Sequence, residues 1–106
     1  MIPCNCVVQE GQIPDDTAAA LRASISAFTE RAFGAPAEFS WLAVPERSGF
    51  TASAPSTSSI ISLRAPRAVS PSEREPLLRE LCGIWTDHTN CSLNEIVGVI
   101  SDPVAE

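Results

Sequence analysis

A strand–helix–strand pattern occurs twice in this chain and occupies nearly all of its 106 residues. The first copy consists of a strand Ile2–Val8, a helix from about Pro14 to Phe33 and a strand Glu38–Val44. The second copy follows at an offset of 56 to 58 residues and consists of a strand Ser58–Arg64, a helix from about Ser70 to His88 and a strand Glu95–Ile100. One copy alone cannot bury its apolar faces, so the two copies must pack on each other. We therefore predict one domain over residues 1–106, made of β-α-β units at about 1–45 and 58–103 that a loop at 46–57 joins.

The order β-α-β-β-α-β predicts an α+β fold with approximate internal twofold symmetry, in which two helices cover one face of a four-stranded sheet. Apolar residues recur at helical spacing in the first helix: Ala18, Leu21, Ile25, Phe28 and Ala32. The second helix has two possible starts, one capped by Ser70 and one by Ser72. Pro76 favours the later start, because a proline deep inside a helix removes a hydrogen bond and clashes with the preceding turn.

Charge and composition exclude several classes of function. The net charge of −6 argues against a nucleic-acid partner and an anionic membrane, because both require a basic surface. No apolar run is long enough for a transmembrane helix and no signal peptide is recognisable, so we expect a cytoplasmic protein. All seven basic residues are arginine and tyrosine is absent, which removes the lysine amine and the phenol as catalytic groups. The α-amino group of Met1 is therefore the only primary amine.

The four cysteines do not have the spacing of a zinc site. Cys4 and Cys6 are separated by one residue, and Cys82 and Cys91 lie nine positions apart. Cysteine is among the residues that are most often buried. We therefore predict structural roles for these thiols rather than a metal site, a disulfide or a reactive nucleophile, and no cofactor is indicated.

Four short segments occur in a distinctive order along the two units: Val8-Gln9-Glu10-Gly11, Phe39–Val44 with Pro45-Glu46, Arg64-Ala65-Pro66-Arg67 and Leu81-Cys82-Gly83. In this order and spacing they resemble the tautomerase superfamily over essentially the whole chain. That group includes 4-oxalocrotonate tautomerase (4-OT), malonate semialdehyde decarboxylase, cis-3-chloroacrylic acid dehalogenase and macrophage migration inhibitory factor (MIF). The resemblance implies a MIF-like fold and a homotrimer with ligand pockets at the subunit interfaces.

The resemblance also implies a catalytic proline, which this chain lacks at the corresponding position. In the superfamily, the residue after the initiator methionine is a proline whose free amine acts as base or nucleophile. Counting back from Glu10-Gly11, the corresponding residue is Ile2. Isoleucine is too large for ordinary methionine removal, so Met1 should persist and Pro3 should have no basic nitrogen. We therefore expect proline-dependent tautomerase activity to be absent or very weak.

A carboxylate-binding site is the second implication of the resemblance. In the decarboxylase and the dehalogenase, two arginines after the third strand bind the substrate carboxylate. Arg67 corresponds to the first, the second position is Val69, and Arg64 is the candidate replacement. A guanidinium binds a carboxylate through two parallel hydrogen bonds, so a small keto acid-like ligand is expected. The alternative is that these arginines are solvated or pair with Glu73 or Glu75.

Further site candidates are two acidic residues and the terminal amine. Asp102 lies near the position of the dehalogenase's water-activating glutamate, although Ser-Asp-Pro is also an ordinary turn. Glu38 lies within one residue of the decarboxylase's acidic group. The amine of Met1, if it is buried beside Arg67, could form an imine with a carboxylate-bearing aldehyde or ketone. Met1 and Asp102 are therefore the catalytic candidates, and Arg67, Arg64 and Glu38 are the ligand-binding candidates.

Three functions fit these observations. The first is a trimeric tautomerase-like protein that binds a small carboxylate and has weak or altered tautomerase or lyase activity. The second is a non-catalytic ligand-binding or regulatory trimer of the same fold. The third is an unrelated ferredoxin-like module whose oligomer interface is its function.

Overall fold

The computed structural model describes residues 1–45, 47–51, 53–56 and 58–103. The elements in chain order are β1 Ile2–Gln9, α1 Asp15–Phe33, β2 Ala37–Val44, β3 Phe50–Thr51, β4 Ala54–Pro55, β5 Ser59–Arg64, α2 Pro71–Thr89 and β6 Ile96–Ser101. A short 3₁₀ turn, Leu93–Glu95, leads into β6. Neither α-helix in these ranges has the length and apolar content that a membrane span requires.

Four strands form one mixed sheet in the order β2-β1-β5-β6. β1 is parallel to β2 and antiparallel to β5, and β5 is parallel to β6. Because of these directions, β1 begins at the same end of the sheet at which β5 and β6 finish. We call this end, which Ile2, Arg64 and Ser101 bound, the Ile2 end. The predicted α+β architecture of two helices and a four-stranded sheet is confirmed.

The two faces of the sheet differ in how well they are covered. Alternate residues of β1, namely Ile2, Cys4, Cys6 and Val8, are buried in the core together with the apolar side chains of both helices. The opposite face, here called the open face, carries exposed apolar side chains. Pairing register places four of its residues in one row across the sheet: Leu42, Val7, Ile60 and Val97. This row is apolar surface that the described residues leave uncovered.

The start of α2 corrects the sequence interpretation. The helix begins at Pro71, because the Ser70 hydroxyl accepts a hydrogen bond from the Glu73 amide and Pro71 has the backbone angle that a first helical position needs. The expected later start at Ser72 is therefore wrong, and Pro76 lies inside the helix. Its missing amide affects only the carbonyl of Ser72, which is exposed and available to water.

The segment between the units is more ordered than a plain loop. Strands β3 and β4 pair as a short antiparallel hairpin, and the Gln9 side-chain amide donates to the Ser56 carbonyl. Glu46, Ala52 and Thr57, which the predicted loop at 46–57 includes, lie outside the described residues. The last strand also differs slightly from the prediction, because the 3₁₀ turn delays its start to Ile96.

Candidate functional site

The loop between β5 and α2, residues 65–70, carries Arg67 at the Ile2 end. Its backbone is fixed on both sides of the arginine, because the side chains of Ala65 and Val69 are buried in the core. The Ala65 amide also donates to the Ser101 carbonyl at 2.9 Å, which ties the loop to the end of β6. The Arg67 side chain therefore projects from an anchored support.

Arg67 already holds a carboxylate. Its Nη1 and Nη2 atoms lie 3.0 Å and 2.7 Å from the two carboxylate oxygens of Glu73, in the first turn of α2. The guanidinium carbon lies 5.9 Å from the centroid of the Phe33 ring. Hydrogen bonding to Arg67 lowers the pKa of Glu73, and the same bonding raises the pKa of Arg67. The alternative that Arg67 pairs with Glu73 is thus confirmed, and both groups are charged at neutral pH.

Asp102 fastens the same loop from the other side. Its Oδ1 atom accepts hydrogen bonds from the Val69 amide at 3.1 Å and from Nη2 of Arg74 at 2.7 Å. The same Arg74 nitrogen donates to the Val69 carbonyl at 2.7 Å. Both backbone polar groups of Val69 are therefore bound by this charged pair. The sequence analysis missed Arg74, since no spacing rule links a residue in α2 to one after β6.

The N-terminal residues start β1 beside this loop. The side chain of Ile2 is buried, and its amide donates to the Pro36 carbonyl at 2.9 Å. Met1 precedes the strand and is 70 % exposed. In the single chain Met1 is not buried beside Arg67, because the first strand position that faces the core belongs to Ile2.

Arg64 and Glu38 lie on the open face rather than beside Arg67. Glu38 pairs with Pro3 in the β1–β2 ladder, and Cys4 pairs with Leu63 in the β1–β5 ladder. Continuing that register by one residue brings Arg64 opposite Pro3, so Arg64 and Glu38 flank β1 at about 10 Å between their backbones. Both residues are exposed. At the Ile2 end, Arg67 therefore lies on the side that the helices cover, whereas Arg64 and Glu38 lie on the open face.

A groove of about 650 Å³ runs along the outer side of α2. Its apolar wall includes Leu78, Cys82 and Leu93, and Arg74 and Arg79 lie along it. Each of these arginines is already paired, Arg74 with Asp102 and Arg79 with Glu75 in the preceding turn of the same helix. We call this surface the α2 groove, and it adds apolar rather than charged surface to the second unit.

Two of the four thiols lie side by side in the core. The Sγ atoms of Cys4 and Cys6 are 3.8 Å apart in the core, and the hydrogen bond between them together with burial raises the pKa of Cys4. Burial also raises the pKa of Cys82. Within the described ranges, no group of three or more His, Cys, Asp or Glu residues is arranged to hold a metal ion. The predicted core role of Cys4 and Cys6 is confirmed.

Several solved structures have a similar fold over nearly the whole chain. No family model and no curated protein matches the chain. Among solved structures, Ps01740 superimposes with a TM-score of 0.86 at 25% identity, over 97% of this chain and 95% of that one. A member of the cis-3-chloroacrylic acid dehalogenase family, N1, gives a TM-score of 0.84 at 12% identity, over 98% and 79% of the two chains. A fused 4-OT described as a wild-type symmetric trimer gives 0.82 at 13% identity, over 95% and 85%.

Proposed function

We propose that this chain, which belongs by its fold to the tautomerase superfamily, is a self-associating single-domain protein that binds a small carboxylate, such as a keto acid, through Arg67. One observation carries the proposal: Arg67 holds the Glu73 carboxylate through two hydrogen bonds, which is the arrangement that a ligand carboxylate would use. The anchored loop and the Phe33 ring limit the rotation of the guanidinium, so less freedom is lost when a ligand binds.

Self-association is supported by the open face. Leu42, Ile60, Val97 and Val99 are each at least 40 % exposed on it, and a continuous apolar surface of this kind is typical of an interaction site. The fused 4-OT neighbour is a symmetric trimer, and a cyclic homotrimer of this chain would bring the open face of each copy against another copy. Arg64 and Glu38 would then lie at a subunit interface. Light scattering should give the mass of three chains, and a stable monomer would contradict the assembly.

The proposed chemistry is weak or altered tautomerase or lyase activity. Ile2 provides a backbone amide that is already bonded to Pro36, rather than a free secondary amine. The exposed Met1 amine is then the group available to a carbonyl: its nitrogen would bond to the carbonyl carbon, and water would leave. Asp102 is the weaker catalytic candidate, because Arg74 and Val69 already use one of its oxygens.

The alternative is a non-catalytic ligand-binding or regulatory trimer of the same fold. Two observations favour it: the Ile2 nitrogen is a peptide amide rather than a basic amine, and Oδ1 of Asp102 binds Val69 and Arg74. Borohydride trapping with pyruvate, followed by peptide mass mapping, separates the two functions. An adduct on Met1 supports the catalytic version, and its absence supports the non-catalytic one. Replacing Pro3 by alanine should leave phenylpyruvate ketonisation at background, and turnover that is lost in Pro3→Ala would contradict the assignment of Ile2.

Carboxylate binding is tested with a matched pair of arginine variants. Arg67→Ala should weaken pyruvate binding at least about tenfold, because it removes a two-bond charged contact. The control is Arg31→Ala, since Arg31 forms a comparable exposed ion pair with Glu80 at 3.0 Å. Calorimetric titration of both variants and of the wild type measures the difference. Equal affinities in all three proteins would reject Arg67 as the ligand contact.

A further inference from the structure

The Nη1/Nη2 edge of the Arg67 guanidinium is occupied by the protein's own carboxylate. Glu73 accepts one hydrogen bond from each terminal nitrogen of the guanidinium, and Nη1 makes a longer contact of 3.4 Å with the Ala68 carbonyl. The Phe33 ring lies against the guanidinium. A ligand carboxylate that approaches this edge of Arg67 therefore finds the Glu73 carboxylate already bound there.

The Glu73 side chain is free to leave this position without disturbing the fold. Its backbone is held by α2 and by the hydrogen bond from its amide to Ser70, so only the side chain has to rotate. The side chain is 42 % exposed, which gives the displaced carboxylate direct access to water. It would also stay in the first turn of α2, where a negative charge is favoured by the helix dipole.

We propose that Glu73 is an internal competitor for the ligand site, so that a carboxylate binds Arg67 by displacing the Glu73 side chain. This inference rests on the proposed function, because it concerns the same arginine. The apparent affinity is then the intrinsic affinity reduced by the fraction of molecules in which Arg67 is open. Exposed ion pairs are weak, so Arg67 is open in about a fifth to a half of the molecules.

The competition lowers the affinity of every carboxylate by the same factor, so the ligands that remain bound are those with the highest intrinsic affinity. A simple monocarboxylate such as acetate exchanges one carboxylate for another at Arg67 and gains little. A ligand with a second polar group, as in a keto acid or a dicarboxylate, can add contacts that Glu73 does not make. A keto acid or a dicarboxylate can therefore remain bound at concentrations at which acetate no longer does, through its own additional contacts.

The test compares Glu73→Gln with Glu80→Gln, which removes the charge from a glutamate of the same helix that pairs with Arg31 rather than with Arg67. Calorimetric titration should show pyruvate binding tighter by about two- to fivefold in Glu73→Gln, and unchanged in Glu80→Gln. Acetate should gain by the same factor as pyruvate, because both ligands displace the same side chain. Circular dichroism verifies that both variants retain the fold.

The outcomes separate this inference from the function on which it rests. Wild-type affinity in Glu73→Gln, with binding lost in Arg67→Ala, would overturn the competition and leave the carboxylate site standing. Equal pyruvate affinity in the wild type and Arg67→Ala would overturn both. A second readout is the carboxyl carbon resonance of Glu73, which should move toward the value of a solvated glutamate as pyruvate saturates the wild-type protein. A resonance that does not move would also overturn the competition.

Discussion

The two β-α-β units follow the same path, but the loops that lead into their helices are held by different chemistry. After β1, neutral groups hold the turn: the Gln9 amide donates to the side chain of Gln12 at 3.2 Å, and the Gln12 amide donates to the Gln9 carbonyl at 3.1 Å. After β5, the charged groups of Asp102 and Arg74 bind the backbone of Val69. The two units thus share one fold, but the loops that lead into their helices differ in chemistry. The loop of the second unit anchors one arginine site in each chain.

The helices of the two units also differ in how completely they are buried. α1 buries its apolar stripe, including Leu21, Ile25 and Phe28, without exposure. α2 buries Leu81 and Trp85 to the same degree, but Leu78 is half-buried and lines the α2 groove. The second unit therefore carries both the charged loop and a large share of the uncovered apolar surface.

The largest expected contrast between the units concerns their helix cores. Phe28→Ala should lower the free energy of unfolding by about 3–5 kcal/mol, because it leaves a cavity in a fully buried site. Leu78→Ala should cost about 1 kcal/mol, since part of its side chain already contacts solvent. Urea denaturation measures both. A Leu78→Ala loss as large as that of Phe28→Ala would show that the α2 groove is covered in the assembled protein.

Replacing each of two glycines of the second unit by alanine should change the free energy of unfolding in opposite directions. A Cβ at Gly98 would lie 2.9 Å from the Cys82 sulfur, so Gly98→Ala should destabilise the protein by about 1–3 kcal/mol. A Cβ at Gly83, inside α2, meets nothing within 4 Å, so Gly83→Ala should stabilise it by about 0.5–1 kcal/mol. Adding Cys82→Ala to Gly98→Ala should recover part of the loss. Without that recovery, the Cys82 contact would not be the cause.

The difference in loop chemistry predicts a difference in salt dependence. Asp102→Ala should lower the free energy of unfolding by about 1 kcal/mol at low salt, and by less at high salt, because ions screen the charged contact with Arg74. Gln12→Ala should cost a similar amount that does not change with salt, since its bonds are between neutral groups. Denaturation at two ionic strengths measures this. Equal salt dependence in the two variants would remove the distinction between the loops.

The smallest expected effect is the pH dependence of the Arg67–Glu73 pair. Arg67 lowers the pKa of Glu73, so the pair stabilises the fold fully above the ordinary glutamate pKa of about 4.3 and ceases to do so as pH falls through the lowered value. The difference in melting temperature between the wild type and Glu73→Gln should therefore shrink from pH 5 toward pH 2. A difference that stays constant over this range would contradict the pairing.

The sequence predicted the elements well because hydrophobic periodicity is a local signal. The bounds of α1 and of the four sheet strands lie within two residues of those that the pattern indicated. Two predictions failed where local signals competed: Pro76 argued against the start at Pro71, and the small polar residues of 46–57 hid the β3–β4 hairpin. The Ser70 cap outweighed the effect of Pro76 in α2, and strand pairing outweighed the small polar residues of 46–57.

The candidate site was predictable only in part. Glu73 lies six residues after Arg67, close enough along the chain for the pair to be considered from the sequence. The packing of Phe33 against Arg67 was not predictable, and neither was the Arg74–Asp102 contact, because each joins elements that are far apart in sequence. The exposure of Met1 likewise follows from the register of β1 and not from its neighbours.

By itself, the sequence determined the repeated β-α-β order, the apolar stripes of the helices and the arginine-bearing loop after β5, because each depends on residues that are close along the chain. Only the tertiary structure decided how that loop is used. The antiparallel pairing of β1 with β5 brings the start of one unit to the end of the other, so Ile2, Arg67 and Asp102 meet at one end of the sheet. The same pairing sends Arg64 and Glu38 to the open face, because side chains alternate across a strand and register alone assigns each residue its side.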